Sequence, residues 1–306
     1  MKRFFQTTGV LLAGLLVSLA VAAKSPYTAA SEVDGGSVDA VVSDVKSALR
    51  GAGFEVVGSY HPAGQDNMVA VAATDEGIID AIKKRPVTSR GGHTIAGAAL
   101  RVGVFNPKDG PIEVSFANPT YQYAAYFQDA YPDVRSEAQA VEERLMEALG
   151  GVGDKVGESF GGNVSMGDLA HYHYMIFMPY MEDDHELASY ADFQTGVQTV
   201  RANLGKGVAQ TESVYEVVLP DRKLAVFGVA MKDPNHGEPS WFPKLIQRHV
   251  AAMPYEIYVV GDKAYTLHGR FRIALSWPTL TMATFSNIMD APPDTEEIMR
   301  QVASPE

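Results

Sequence analysis

Residues 99–127 read ALRVGVFNPKDGPIEVSFANPTYQYAAYF. Two apolar runs, 100–105 and 112–117, flank NPKDG, where Pro107 presets φ and Gly110 accepts a positive φ, so the stretch predicts a strand, a tight reversal and a second strand. Pro119-Thr120 then opens a segment carrying Tyr121, Tyr123, Tyr126 and Phe127. Nearly the same punctuation returns over 253–279 as MPYEIYVVGDKAYTLHGRFRIALSWPT, read as a strand YEIYVV, a turn GDK and a closing strand RFRIALS before Pro278-Thr279.

Working outward, the likeness extends to both sides. Upstream of the first hairpin, SVDAVVSDVKSALRGAG puts Val38, Val41, Val42, Val45 and Leu49 on one helical face behind a Ser37 cap. EVVGSY and MVAVAAT read as strands and DEGIIDAIKKR as a helix; downstream, SEAQAVEERLMEALG is a further helix. In the second half ADFQTGVQTVRANLGKG places Phe193, Val197, Val200 and Leu204 on one face behind Asp192. SVYEVVL and LAVFGVA follow as strands, SWFPKLIQRHVA as a helix, and DTEEIMRQVA closes the chain as a helix. The element order is the same in both halves, which predicts a tandem duplication. Its anchors are Pro119-Thr120 against Pro278-Thr279, the hairpin before each pair, and HTIAGAALRVGVF beside HVAAMPYEIYVV. The last of these aligns His93 with His249.

Seven glycines between Gly150 and Gly167 predict a linker over 150–168. LAHYHYMIFMPYM then reads as the first strand of the second half, with PYTAAS near residue 26 as its counterpart. The expected organisation is a leader over 1–23, a first domain over 24–149, the linker, and a second domain over 169–306. The fold class is α+β: two similar two-layer sandwich domains, helices packed on mainly antiparallel sheets.

The two hairpins with their Pro-bearing exits resemble the C-terminal part of the domain of unknown function 302 family (DUF302). The amphipathic helix leading into GFEVVGSYHPAG is similar to that family's N-terminal part. The resemblance spans about residues 26–130 and 170–287. It implies a compact α+β domain whose single-domain members pair, so that a fused duplicate replaces the homodimer with an internal pseudo-dimer. DPNHGEPSWFP departs from the pattern, since the first half has only TDEG there. The resemblance brings no activity with it.

Lys2 and Arg3 precede an apolar run from Gly9 to Ala23 that ends in small residues, as a secretory signal peptide does. The run is shorter than the roughly 20 apolar residues of a membrane span. A periplasmic or secreted protein without a membrane anchor after cleavage is therefore expected. The chain has no cysteine, which excludes disulfides, a lipid-modified cysteine and covalent c-type haem. Net charge is −12, and loss of Lys2 and Arg3 leaves 23 basic against 37 acidic residues. Such a field disfavours nucleic acid and anionic lipid and favours cations.

Three constellations could carry chemistry. On a strand, His171, His173 and Met175 share one face, and two imidazoles with a thioether suit copper; histidines on a solvated edge strand fit the same pattern. His93 and His249, if related by an approximate two-fold, could jointly hold a metal or a noncovalent haem; alternatively each satisfies a backbone carbonyl. The acidic run Glu182, Asp183, Asp184 and Glu186 around His185 lacks the ligand spacing and central glycine of a calcium loop, and reads as a solvated turn or a helix N-terminus. Residues 157–161 match G-x-S-x-G but lie in the glycine-rich stretch, without the strand-to-helix context a nucleophile elbow needs. The aromatics of 121–127 read as core, and Met175, Met178 and Met181 as gap fillers.

The functional expectation is an exported, non-enzymatic binding protein. It would hold a small molecule, a metal ion or haem near the interface of two similar domains. The alternatives are an envelope module that binds another protein or a second copy of itself without a cofactor, and an enzyme of a kind the residues do not reveal.

Overall fold

The computed structural model describes residues 23–85, 92–171, 180 and 185–305; for Gly92 and His93 it describes the backbone alone. Residues 1–22 of the expected leader lie outside the described residues.

The first half opens with β1 (Ala23–Lys24) and β2 (Tyr27–Val33), followed by α1 (Val38–Gly51). Ser37 caps α1 by accepting from Ala40 N, and the helix buries the predicted face of Val38, Val41, Val42, Val45 and Leu49. Strands β3 (Glu55–Tyr60) and β4 (Met68–Thr74), helix α2 (Glu76–Lys83), strands β5 (Leu100–Phe105) and β6 (Ile112–Ala117) and helix α3 (Pro119–Phe127) come next. The half ends with α4 (Arg135–Gly150), β7 (Asp154–Phe160), β8 (Val164–Ser165) and the short α5 (Met166–Ala170). The second half contains β9 (His185–Ser189), α6 (Phe193–Lys206), β10 (Thr211–Leu219), β11 (Leu224–Met231) and α7 (Glu238–Trp241). It continues through β12 (Tyr255–Val260), β13 (Lys263–Thr266), α8 (Gly269–Ser276), α9 (Met282–Phe285) and α10 (Ala291–Ala303).

Both large sheets are antiparallel, so the α+β class holds. Their strand orders correspond: β3-β4-β5-β6-β2 in the first, extended by β7, and β10-β11-β12-β13-β9 in the second. In each, the first strand in sequence lies beside the last.

Side-chain alternation explains how the two sheets meet. Along β4, Val69, Val71 and Ala73 join the core under α1, while Met68 and Ala70 turn to the opposite face and pack with second-half residues. Along β11, Ala225, Phe227, Val229 and Met231 pack with α6, while Leu224 and Val226 join the first half's core. These two strands are thus buried on both faces, which is why both read as unbroken apolar runs. The helical turn 250–252 lies on β4, β5 and β6, and the turn 92–98 lies reciprocally on β11 and β12. At Gly103 on β5, a Cβ would sit 2.9 Å from Ala251 N, so only glycine lets that turn approach.

The structure departs from the sequence expectations in several places. RFRIALS is the helix α8, and β12 pairs instead with Lys263–Thr266. The alternation of Arg270, Phe271, Arg272 and Ile273 imitated a half-exposed strand, but Arg272 is buried. It follows that Pro119 and Pro278 are not equivalent: Pro119 opens α3, while Pro278 follows α8, the helix in the matching place. Residues 154–160, expected in the linker, form an edge strand paired with β2; the positive φ of Gly157 falls where the register shifts, and every residue of the strand but Phe160 is exposed. The strand expected over 169–181 lies for the most part outside the described residues; of it, Leu169 and Ala170 belong to α5, and the first described strand after them is His185–Ser189. The helix expected over 240–251 is also broken, into α7 and short helical turns at 242–244 and 250–252, because Pro243 cannot continue it.

Candidate functional site

The interface centres on a buried charge cluster. Arg101 is the second residue of β5 and Glu256 the second of β12, so they occupy matching positions in matching strands. They pair with each other across the interface. Gln122 on α3 accepts from Arg101, and Arg272, one turn into α8, donates from Nε to Glu256 Oε2 at 3.3 Å. Arg272 also donates to the carbonyls of Ala252 (2.6 Å) and Pro254 (3.3 Å) and to Ser276 Oγ. Burial works against the charge on both guanidiniums, and Glu256 together with the neighbouring tyrosines outweighs it, so their pKa values are raised. Tyr126 Oη lies 3.4 Å from Arg101 Nη2. Tyr27 Oη and Tyr121 Oη donate to the carbonyls of Ser276 and Leu275, both 2.9 Å, pinning the first half to the end of α8. The aromatics of 121–127 are core, as expected.

To one side of this cluster, where β3 approaches β10 and the turn 62–64 meets α7, both halves line a cleft of about 370 Å³. Tyr60, His61, Ala63 and Gly64 come from the first half, and Ala230, Met231, Lys232, Glu238 and Pro239 from the second. Glu238 is only 1% exposed. Its Oε2 accepts from Ala63 N at 2.9 Å, and its Oε1 accepts from Tyr60 Oη at 3.1 Å and Met231 N at 3.2 Å. Burial pushes the carboxyl up to about 7 against the pull of these three donors. Tyr60 is raised in turn, by its own burial and by the neighbouring carboxylate. Ala63 holds φ +54, a left-handed conformation costly for a residue with a Cβ. A volume of this size suits a small molecule, and a buried carboxyl poised between charged and neutral can accept or donate a hydrogen bond there.

Of the residues singled out in the sequence, His249 is buried. Its Nδ1 donates to the Ser276 carbonyl at 3.0 Å, and its ring stacks on Trp277 and packs against Tyr27 and Phe160. Desolvation pushes it down to about 4, so it is neutral with the proton on Nδ1. The side chain of His93 is outside the described residues, as are His173 and Met175. His171 ends α5 in an exposed turn, with Nε2 3.2 Å from Asp129 Oδ1. Of the acidic run, His185 and Glu186 are described and begin β9, so that end is a strand rather than a turn or helix N-terminus.

Sequence reasoning missed Glu238, Tyr60 and the Arg101–Glu256 pair. Glu238 lies in the DPNHGEPSWFP departure, which was the available signal. Its two first-half partners are 175 and 178 residues away.

No family model matches the chain, and no curated protein matches it. Among solved structures it is similar to an uncharacterized conserved protein DUF302 from Bacillus stearothermophilus. That likeness has 14% sequence identity and a TM-score of 0.32, over 39% of this chain and 91% of that one.

Proposed function

We propose that the protein is an exported binding protein made of two fused, similar domains, and that it holds a small ligand in the cleft between them. The observation that carries this reading is Glu238: a buried carboxyl with its pKa pushed up to about 7, supplied by one half and held by Tyr60 and Ala63 of the other, at a cleft both halves line. Duplication of one ancestral module is supported by the matching strand orders and the matching places of Arg101 and Glu256. Export rests on the signal-like residues 1–23. Among the described residues, no helix is long and apolar enough to cross a membrane.

The ligand class that suits the cleft is a small molecule with an apolar body, for Ala63, Ala230 and Pro239, and one polar group that reaches Glu238. A metal or noncovalent haem at His249 would use Nε2, because Nδ1 is committed to the Ser276 carbonyl.

The test is a thermal-shift screen of the purified full chain against a small-molecule panel that includes haem and Cu²⁺. Hits are repeated on Glu238→Gln and on His61→Trp, which crowds the rim. Small-molecule shifts that vanish in both variants support the cleft. Shifts unchanged in both would move the site elsewhere, and a haem or copper shift lost only on replacing His93 and His249 would move it to those imidazoles.

A further inference from the structure

A second constellation lies away from the cleft, at the outer end of the second sheet. His185 begins β9, His268 immediately precedes α8, and Glu296 projects from α10. His268 Nδ1 is 3.2 Å from Glu296 Oε1, and His185 Nδ1 is 3.7 Å from Glu296 Oε2. One donor atom from each residue falls within 4.8 Å of the others, and the two imidazole rings lie 5.0 Å apart, edge to face. The three side chains are 18–28% exposed, open enough for an ion to enter and buried enough to hold their orientation.

The matching place in the first half shows what packing alone requires there. β9 pairs His185 with Thr266, two residues before His268; β2 pairs Thr28 with Phe116, two residues before Asn118. Thr28 Oγ1 donates to Asn118 Oδ1 at 2.8 Å. Glu142 accepts from Thr120 N at the start of α3, as Glu296 accepts from Gly269 N (2.8 Å) at the start of α8. The carboxylate cap is therefore common to both halves and needs no imidazole. In the second half, both positions of the Thr–Asn pair hold histidine.

We infer that His185, His268 and Glu296 form a binding site for a divalent first-row transition metal, with zinc as the fitting ion and an open fourth position for water or a ligand. Two nitrogens and one carboxylate oxygen are a donor set zinc accepts tetrahedrally. The two imidazole nitrogens lie 3.2 and 3.7 Å from opposite oxygens of Glu296, and one donor from each residue lies within 4.8 Å of the others, so small side-chain turns bring the set to bonds of about 2.0–2.2 Å on one central ion. Arg300 sets the resting state. Its Nη2 donates to His185 Nε2 at 2.7 Å, which fixes the proton on Nδ1, facing Glu296. Zinc at Nδ1 displaces that proton and requires one on Nε2, so Arg300 must swing away. Its Nη1 is already held by Glu297 at 2.7 Å, and the side chain is 42% exposed. The inference is independent of the cleft.

The experiment titrates zinc into chelator-stripped full chain by calorimetry, with thermal melts alongside. Wild type is expected to take up one equivalent. Replacing His185→Thr and His268→Asn together installs the first half's own pair, and should keep the melt while abolishing zinc uptake. Glu296→Gln should weaken binding at least about tenfold. Arg300→Gln should strengthen it about tenfold or more, because a positive charge leaves and the glutamine oxygen can accept from Nε2. Equal zinc binding in the double variant would overturn the assignment, as would an absence of binding in both wild type and Arg300→Gln.

Discussion

Deprotonation of Glu238 should make the protein lose stability as pH rises through the neutral range. The folded state holds this carboxyl at about 7 because burial opposes its charge, against an ordinary value of 4.5 for the unfolded chain. Below about pH 4.5 the carboxyl is protonated in both states. Between 4.5 and 7 the folded state binds the proton and the unfolded state does not, so stability falls with rising pH and levels off above about 7. At 1.36 kcal/mol per tenfold difference in proton affinity, the full loss is about 3 kcal/mol. Tyr60 makes the change local: its hydroxyl donates to the carboxylate and can turn to accept once the acid is protonated. Glu238→Gln removes the titration, placing an amide nitrogen toward Tyr60 at the cost of an awkward contact with Met231 N. Urea melts of wild type and Glu238→Gln from pH 4.5 to 8.5 measure the effect as the difference between the two chains, which cancels every other titrating group. Wild type should be the more stable chain at the acidic end and should give up about 3 kcal/mol relative to the variant by pH 8. A difference that stays flat across this range would refute the buried, proton-holding carboxyl.

Three other outcomes test the interface. His249 gives the opposite slope: its imidazole is pushed down to about 4 against an ordinary 6.5, so the folded state resists protonation and stability falls as pH drops from about 6.5 to about 4. A His249→Gln chain melted by urea over that window should not show this fall. Glu256→Gln leaves Arg101 and Arg272 buried without their counter-charge and should cost about 3–5 kcal/mol in a urea melt; a loss under about 1 kcal/mol would show the pair to be solvated. Gly58→Ala puts a Cβ 1.9 Å from the Val214 carbonyl oxygen, where β3 runs against β10. It should destabilise by about 1–3 kcal/mol in the same assay, and no change would mean that the two edges do not meet.

Much of the fold was legible because the local rules agree with it. The faces of α1 and α6, the strands β3 to β6 and β10 to β12, and the NPKDG reversal follow from periodicity, caps and turn residues. What escaped was what distant residues decide. RFRIALS reads locally as a strand, and only Glu256 and the carbonyls of Ala252 and Pro254 give the Arg272 charge an interior place on a helix. Glycines near 150–162 looked like slack chain, yet Gly153 lets the backbone pass Glu32 O, where a Cβ would stand 2.3 Å away, and so admits β7 to the sheet. Glu238 and His268 stood alone in the sequence, and His185 was read only with the acidic run beside it. Their partners come from other segments, and a carboxylate or imidazole declares a role only through its neighbours.

The opposite charges at the second residues of β5 and β12 bear on which partners each half tolerates. Two first halves docked in the same manner would set guanidinium against guanidinium in a dry centre, and two second halves would set carboxylate against carboxylate. The first encounter leaves two buried like charges uncompensated and the second leaves each Glu256 only its own Arg272, whereas the mixed encounter pairs Arg101 with Glu256 directly. One inversion of sign thus weighs against joining two first halves and favours the mixed arrangement.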